Sequence, residues 1–142
     1  MSCDYGVWHS ETSLTNREAA KIYIGLCEQW PFLEGESAAV RAFYEELTRR
    51  WPELDTVPEE KIDDKNYCPW SCEISHSGMA VVTACVWPMA DKVGSFVKEL
   101  STKHQLVFFD PQSERAHLPE HLKSLPGKKG SWFGRVFGGS DR

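Results

Sequence analysis

The residues of this 142-residue chain that could do chemistry are a few carboxylates, thiols and imidazoles, and their spacing decides which chemistry is open. In "QLVFFDPQSER" four apolar residues run into Asp110-Pro111-Gln112, which would set a carboxylate at the tip of a strand. Such a carboxylate can act as a general acid or base only with a second carboxylate or an imidazole beside it. Asp-Pro is equally turn chemistry, because Asp accepts local backbone hydrogen bonds and Pro sets φ. Asp110 and Gln112 are therefore assigned to a structural turn, with the wall of a small pocket as the alternative. Cys68 and Cys72 in "CPWSC" suggest metal ligands. A structural zinc needs four ligands, usually as two close pairs, and no second Cys/His pair has comparable spacing. His117 and His121 stand four apart in "HLPEHL", but Pro119 between them weakens the helix that would aim both at one ion. Cys68 with His9 or His76 could form a nucleophile–base pair, yet no nucleophile elbow or local signature surrounds any cysteine. The expectation is no catalytic residue, no metal and no cofactor.

The elements that must position these residues are legible as patterns. "CDYGVWHS" alternates and reads as a first strand. "TNRE" is a capping box, Thr15 with Glu18, opening a helix whose apolar face is Ala19, Ile22, Tyr23, Leu26, Cys27 and Trp30. Ser37 opens a second helix with the stripe Val40, Phe43, Tyr44, Leu47 and Trp51, stopped by Pro52. Cys72, Ile74 and His76 alternate with polar residues as a half-exposed strand, and Ser77-Gly78 forms a tight turn. "MAVVTACV" is apolar on both parities and reads as an inner strand. Pro88 suits the first turn of a third helix, with Met89, Ala90, Val93, Phe96, Val97 and Leu100 buried, and "LVFF" is the last strand.

The order β-α-α-β-β-α-β, apart from its second helix, is that of a ferredoxin-like fold. It predicts an α+β domain over residues 1–122, with a four-stranded antiparallel sheet, helices on one face and one shared core. Residues 123–142, with five glycines in "LPGKKGSWFGRVFGGSDR", are expected to be a flexible basic tail. Trp132, Phe133, Val136 and Phe137 there could cluster on contact with a partner or a membrane surface.

Charge narrows the partners. Residues 1–122 hold 11 Lys/Arg against 20 Asp/Glu, a net of −9, and residues 123–142 hold 5 against 1, a net of +4. An acidic body repels nucleic acid and favours basic proteins. "KGSWFGRVF" is similar to the RNA-reading strand of RRM domains, but that motif must lie on an inner strand, and here it follows the last one. The acidic maximum is "PELDTVPEEKIDD", with Glu53, Asp55, Glu59, Glu60, Asp63 and Asp64 against only Lys61. The N-terminus lacks the basic flank and apolar stretch of a signal peptide, and the longest apolar run is too short to span a bilayer. A cytoplasmic protein with five reduced cysteines is expected.

"LVFFDPQ", together with "YGVWH", "WPELD" and the Pro69-Trp70 pair, resembles a group of small bacterial cytosolic α/β proteins that begin with an aromatic strand and end in a "DPQ" turn. The resemblance spans residues 3–119. Some members of that group are immunity proteins of polymorphic or contact-dependent toxins. It implies architectural roles for Trp8, Trp51, Pro52, Pro69, Trp70, Asp110, Pro111 and Gln112, and it supplies no catalytic residues. The function expected is a protein-binding inhibitor that occludes a basic toxin domain through the acidic segment, with Trp70 as an aromatic anchor. The alternatives are a small enzyme or small-molecule sensor with a pocket near Asp110, and an adaptor acting through the basic tail.

Overall fold

A computed structural model describes residues 2–123. The chain runs β1 (Ser2–Trp8), α1 (Asn16–Glu28), α2 (Ala38–Arg50), β2 (Ser75–His76), β3 (Ala80–Val86), α3 (Ala90–Lys103), β4 (Val107–Asp110), β5 (Arg115–His117) and α4 (Glu120–Lys123). Three 3-10 turns, Leu54–Thr56, Glu59–Lys61 and Trp87–Met89, punctuate the connections. Helices α1 and α2 start where side chains satisfy free N–H groups of the first turn. Thr15 accepts from the Glu18 amide at 3.0 Å while the Glu18 carboxylate accepts from the Thr15 amide at 2.9 Å, and the Ser37 hydroxyl accepts from the Val40 amide.

The protein is α+β with one antiparallel sheet, but the sheet has five strands in the order β2-β3-β1-β4-β5. β1 and β3 pair over seven residues, from Ser2 opposite Val86 to Trp8 opposite Ala80. The fifth strand arises because the turn at Asp110 is a hairpin. Asp110 pairs with Arg115, residues 111–114 make the loop, and Glu114 adopts a positive φ of 58° that swings the chain back onto β4. "RAH" is too short and polar to announce a strand by its pattern.

The expected placement of all helices on one face is also corrected. Successive strand residues point to opposite faces, and both parities of β3 and β4 are apolar, so both faces need cover. Cys3, Tyr5, Val7, Val81, Cys85 and Phe108 face a core built with α2 and α3, through Val40, Phe43, Leu47, Val93, Val97 and Leu100. Trp8, Ala80, Val107 and Phe109 face a second core with Ala19, Ile22, Tyr23 and Leu26 of α1, and Leu122 of α4 closes it. Gly6 permits the second packing, since a Cβ there would sit 2.8 Å from the Tyr23 ring. Two residues of the predicted α1 face, Cys27 and Trp30, turn out exposed, the helix ending at Glu28 before Trp30 can join it.

Both edges of the sheet are plugged by side chains. On β5 the outward Ala116 amide donates to Asn16 Oδ1 at 2.8 Å. Beside β2 the Ile74 amide donates to Glu53 Oε1 at 3.3 Å. Short edges, each with an amide capped by a side chain, offer little template for unwanted strand pairing. Strand β2 is only Ser75–His76, so the expected longer strand from Cys72 is not formed, and Cys72 and His76 are both exposed.

Candidate functional site

The acidic segment crosses the end of α2 as two 3-10 turns, Leu54–Thr56 and Glu59–Lys61. Pro58 starts the second turn with its fixed φ, and the amides of Thr56, Val57, Lys61 and Ile62 close both turns on carbonyls three residues back. A further turn follows, with the Tyr67 and Cys68 amides donating to the Asp64 carbonyl at 3.0 Å. The far end is held by Cys68, Pro69 and Trp70, all buried, and by the Val86 amide donating to the Pro69 carbonyl at 2.9 Å. Asp55, Glu59, Glu60, Asp63 and Asp64 are all exposed on this support. Lys61 and Lys65 are the cations within it; the Lys61 ammonium lies over the Tyr67 ring and Lys65 reaches the Ile62 carbonyl.

Two of the residues assigned to partner contact are placed otherwise. Glu53 is half-buried and accepts hydrogen bonds from the Tyr44 hydroxyl and the Ile74 amide, tying α2 to the edge of β2. Burial, and then the bond to Glu53, push the Tyr44 phenol above its ordinary range. Trp70 is 0% exposed, so it offers no surface to a partner. Its indole packs edge-on against Trp51 with centroids 6.0 Å apart, and its N–H donates to the Trp51 carbonyl at 3.4 Å. The aromatic side chain that does reach the surface nearby is Trp87, 48% exposed, one residue beyond the Val86–Pro69 hydrogen bond. In sequence its place directly before Pro88 signals only the entry to a helix, not exposure.

Asp110 and Gln112 form a tight hydrogen-bonded unit. Asp110 Oδ1 accepts from the Gln112 amide at 3.0 Å and from Gln112 Nε2 at 2.6 Å. Beside this turn lies an open cleft of ≈ 210 Å³, bordered by Asp91, Lys98, Asp110, His117 and the Tyr5 ring. Tyr5 donates its hydroxyl to the Ala90 carbonyl at 3.0 Å, and Gly94 leaves it room. Desolvation first, and then the Lys98 charge, hold the His117 imidazole below its usual range, with Asp110 opposing them.

The remaining chemical candidates separate in space. His117 lies on β5 and His121 on α4, so they do not share one helix face. Cys68 is buried and directs its thiol to the Pro52 carbonyl at 3.4 Å, whereas Cys72 is exposed. Burial pushes the thiols of Cys3, Cys68 and Cys85 up, that of Cys85 to about 12, which opposes formation of a nucleophilic thiolate. His76 stacks on Tyr44 and His9 approaches Glu11 at 3.5 Å. Among the described residues no group of three or more His, Cys, Asp or Glu could hold a metal ion, and no helix is long and apolar enough to cross a membrane. The basic tail assigned to partner or membrane contact lies outside the described residues, apart from Lys123. Comparison with known proteins finds no matching family model, no matching curated protein and no matching solved structure.

Proposed function

We propose that this chain is a protein-binding inhibitor of the immunity-protein kind, which occludes a basic toxin domain with the acidic surface formed by Asp55, Glu59, Glu60, Asp63 and Asp64. The observation that supports the reading is the hydrogen-bonded support beneath that surface. Five exposed carboxylates stand on consecutive hydrogen-bonded turns, pinned at one end by Glu53 and at the other by Trp70. A solvated loop kept only for solubility has no need of such support. A preorganised array of one sign steers a cationic partner into register and loses little side-chain and backbone entropy on binding.

The test has two stages. A pull-down from the host cell, repeated at high salt, identifies a basic partner that is lost as ionic strength rises. The variant with Glu59, Glu60, Asp63 and Asp64 changed to Lys is then measured against that partner. Association is expected to slow at least about tenfold and its dependence on salt to flatten or reverse. An unchanged rate would place the contact elsewhere.

One observation favours a second reading, a small-molecule site at the Asp110 cleft, where a carboxylate, an ammonium and a neutral-leaning imidazole border one opening. Asp110→Asn tests it: a small-molecule ligand bound by the parent and lost in the variant, with the melting temperature little changed, would favour the cleft, and unchanged binding would exclude it.

A further inference from the structure

A second cavity, of ≈ 370 Å³, opens between the first half of α2 and the edge of β2. Its walls are unequal. The stacked rings of Tyr44 and His76, with centroids 3.9 Å apart and planes at 24°, make an aromatic side, with the buried Val40 beneath it. Glu36, Arg41 and Glu45 border the rest. Arg41 pairs with Glu36 at 3.3 Å, so those two charges largely compensate, and Glu45 enters no ion pair among the described residues. The opening thus combines a flat π-surface and one unspent carboxylate. Tyr44 also links it to the acidic segment, because its hydroxyl donates to Glu53 at that segment's start.

We infer that this groove is a receptor for an arginine side chain of the partner, its guanidinium flat on the Tyr44–His76 stack with Glu45 as counter-charge. The chemistry selects arginine over lysine. A planar guanidinium can stack on an aromatic face and present two parallel N–H donors to one carboxylate, whereas an ammonium is a hydrated point charge with no plane to stack. The inference rests on the proposed reading for its source, a basic protein, but the site stands on its own geometry. It also supplies what the buried Trp70 cannot, a specific anchor next to a surface that otherwise acts by charge.

The probe is N-acetyl-arginine-N-methylamide, titrated into the isotopically labelled full chain at pH 8, above the ordinary imidazole range, with NMR detection of the His76 and Tyr44 ring signals. The controls are the citrulline and lysine analogues and sodium chloride at matched ionic strength. Saturable shifts of both rings by the arginine compound are expected, at least about fivefold weaker for the lysine analogue, absent for citrulline, and weakened about fivefold by Glu45→Gln. Shifts that follow ionic strength alone, or equal binding of citrulline, or indifference to Glu45→Gln, would each overturn the site. If the arginine amide binds but reversing the acidic segment leaves partner association unchanged, the groove stands and the acidic-surface reading falls. If the amide fails while that reversal slows association, the groove falls alone.

Discussion

The side-chain amide of Gln112 hydrogen-bonds both backbone groups of Asp4, its oxygen accepting from the Asp4 amide and its nitrogen donating to the Asp4 carbonyl, each at 2.9 Å. The register explains why a side chain is needed. β1 and β4 pair Gly6 with Phe109 and Trp8 with Val107, so the next rung would set Asp4 opposite Pro111. Proline has no N–H and cannot complete that rung. Gln112 completes it instead, with Asp110 steadying its amide, and "DPQ" thereby becomes a way to turn the chain without orphaning the central strand.

Gln112→Ala is therefore expected to lower unfolding stability by about 1–2 kcal/mol, through three lost side-chain hydrogen bonds at an exposed site. Asp110→Asn keeps an oxygen acceptor and should cost less than about 1 kcal/mol. Urea titration of the two variants checks the order; equal effects would mean that the Gln112 bridge contributes little.

Glu53 and its acidic neighbours should behave as different kinds of residue. Glu53→Ala removes the acceptor for both the Tyr44 hydroxyl and the Ile74 amide, and a loss of about 1–3 kcal/mol is expected. Glu59→Ala and Asp63→Ala, at exposed positions, should stay within about 0.5 kcal/mol of the parent. Thermal unfolding of the three single variants makes the comparison.

The depressed His117 gives stability a direction in pH. The unfolded imidazole titrates near 6.5 and the folded one below it, so between those values the unfolded chain binds more protons. Its contribution is present above about 6.5 and is lost as pH falls through the folded midpoint. An NMR titration should place that midpoint below 6.5; Lys98→Gln should raise it, and Asp110→Asn should lower it further. Shifts of the opposite sign would mean that these charges do not face the imidazole as described.

The thiols should divide by burial. Cys27 and Cys72 are exposed, whereas Cys3, Cys68 and Cys85 are buried. Alkylation of the native protein at neutral pH, read by mass spectrometry, should modify the first two rapidly and the other three only on the timescale of unfolding. Rapid labelling of Cys68 would reopen it as a nucleophile.

Local periodicity and capping chemistry by themselves determined much of this protein. Thr15 and Glu18, Ser37 and Val40, and the buried stripes of α2 and α3 follow from spacings of three and four and from short-range hydrogen bonds. The apolar residues on both parities of "MAVVTACV" and "LVFF" also carried the signal of a two-faced sheet, which the ferredoxin-like analogy overrode. Only the tertiary structure decided which helix covers which face, because that depends on how the chain crosses the sheet and not on any helix's own pattern. It also decided the fates of individual side chains. Glu53 leaves the acidic surface because Tyr44 and Ile74 capture it, Trp70 leaves because Trp51 covers it, and Tyr44 meets His76 across 32 positions of sequence. A carboxylate or an indole reads the same in sequence whether solvent or a distant backbone amide lies beside it, and folding alone brings that neighbour near.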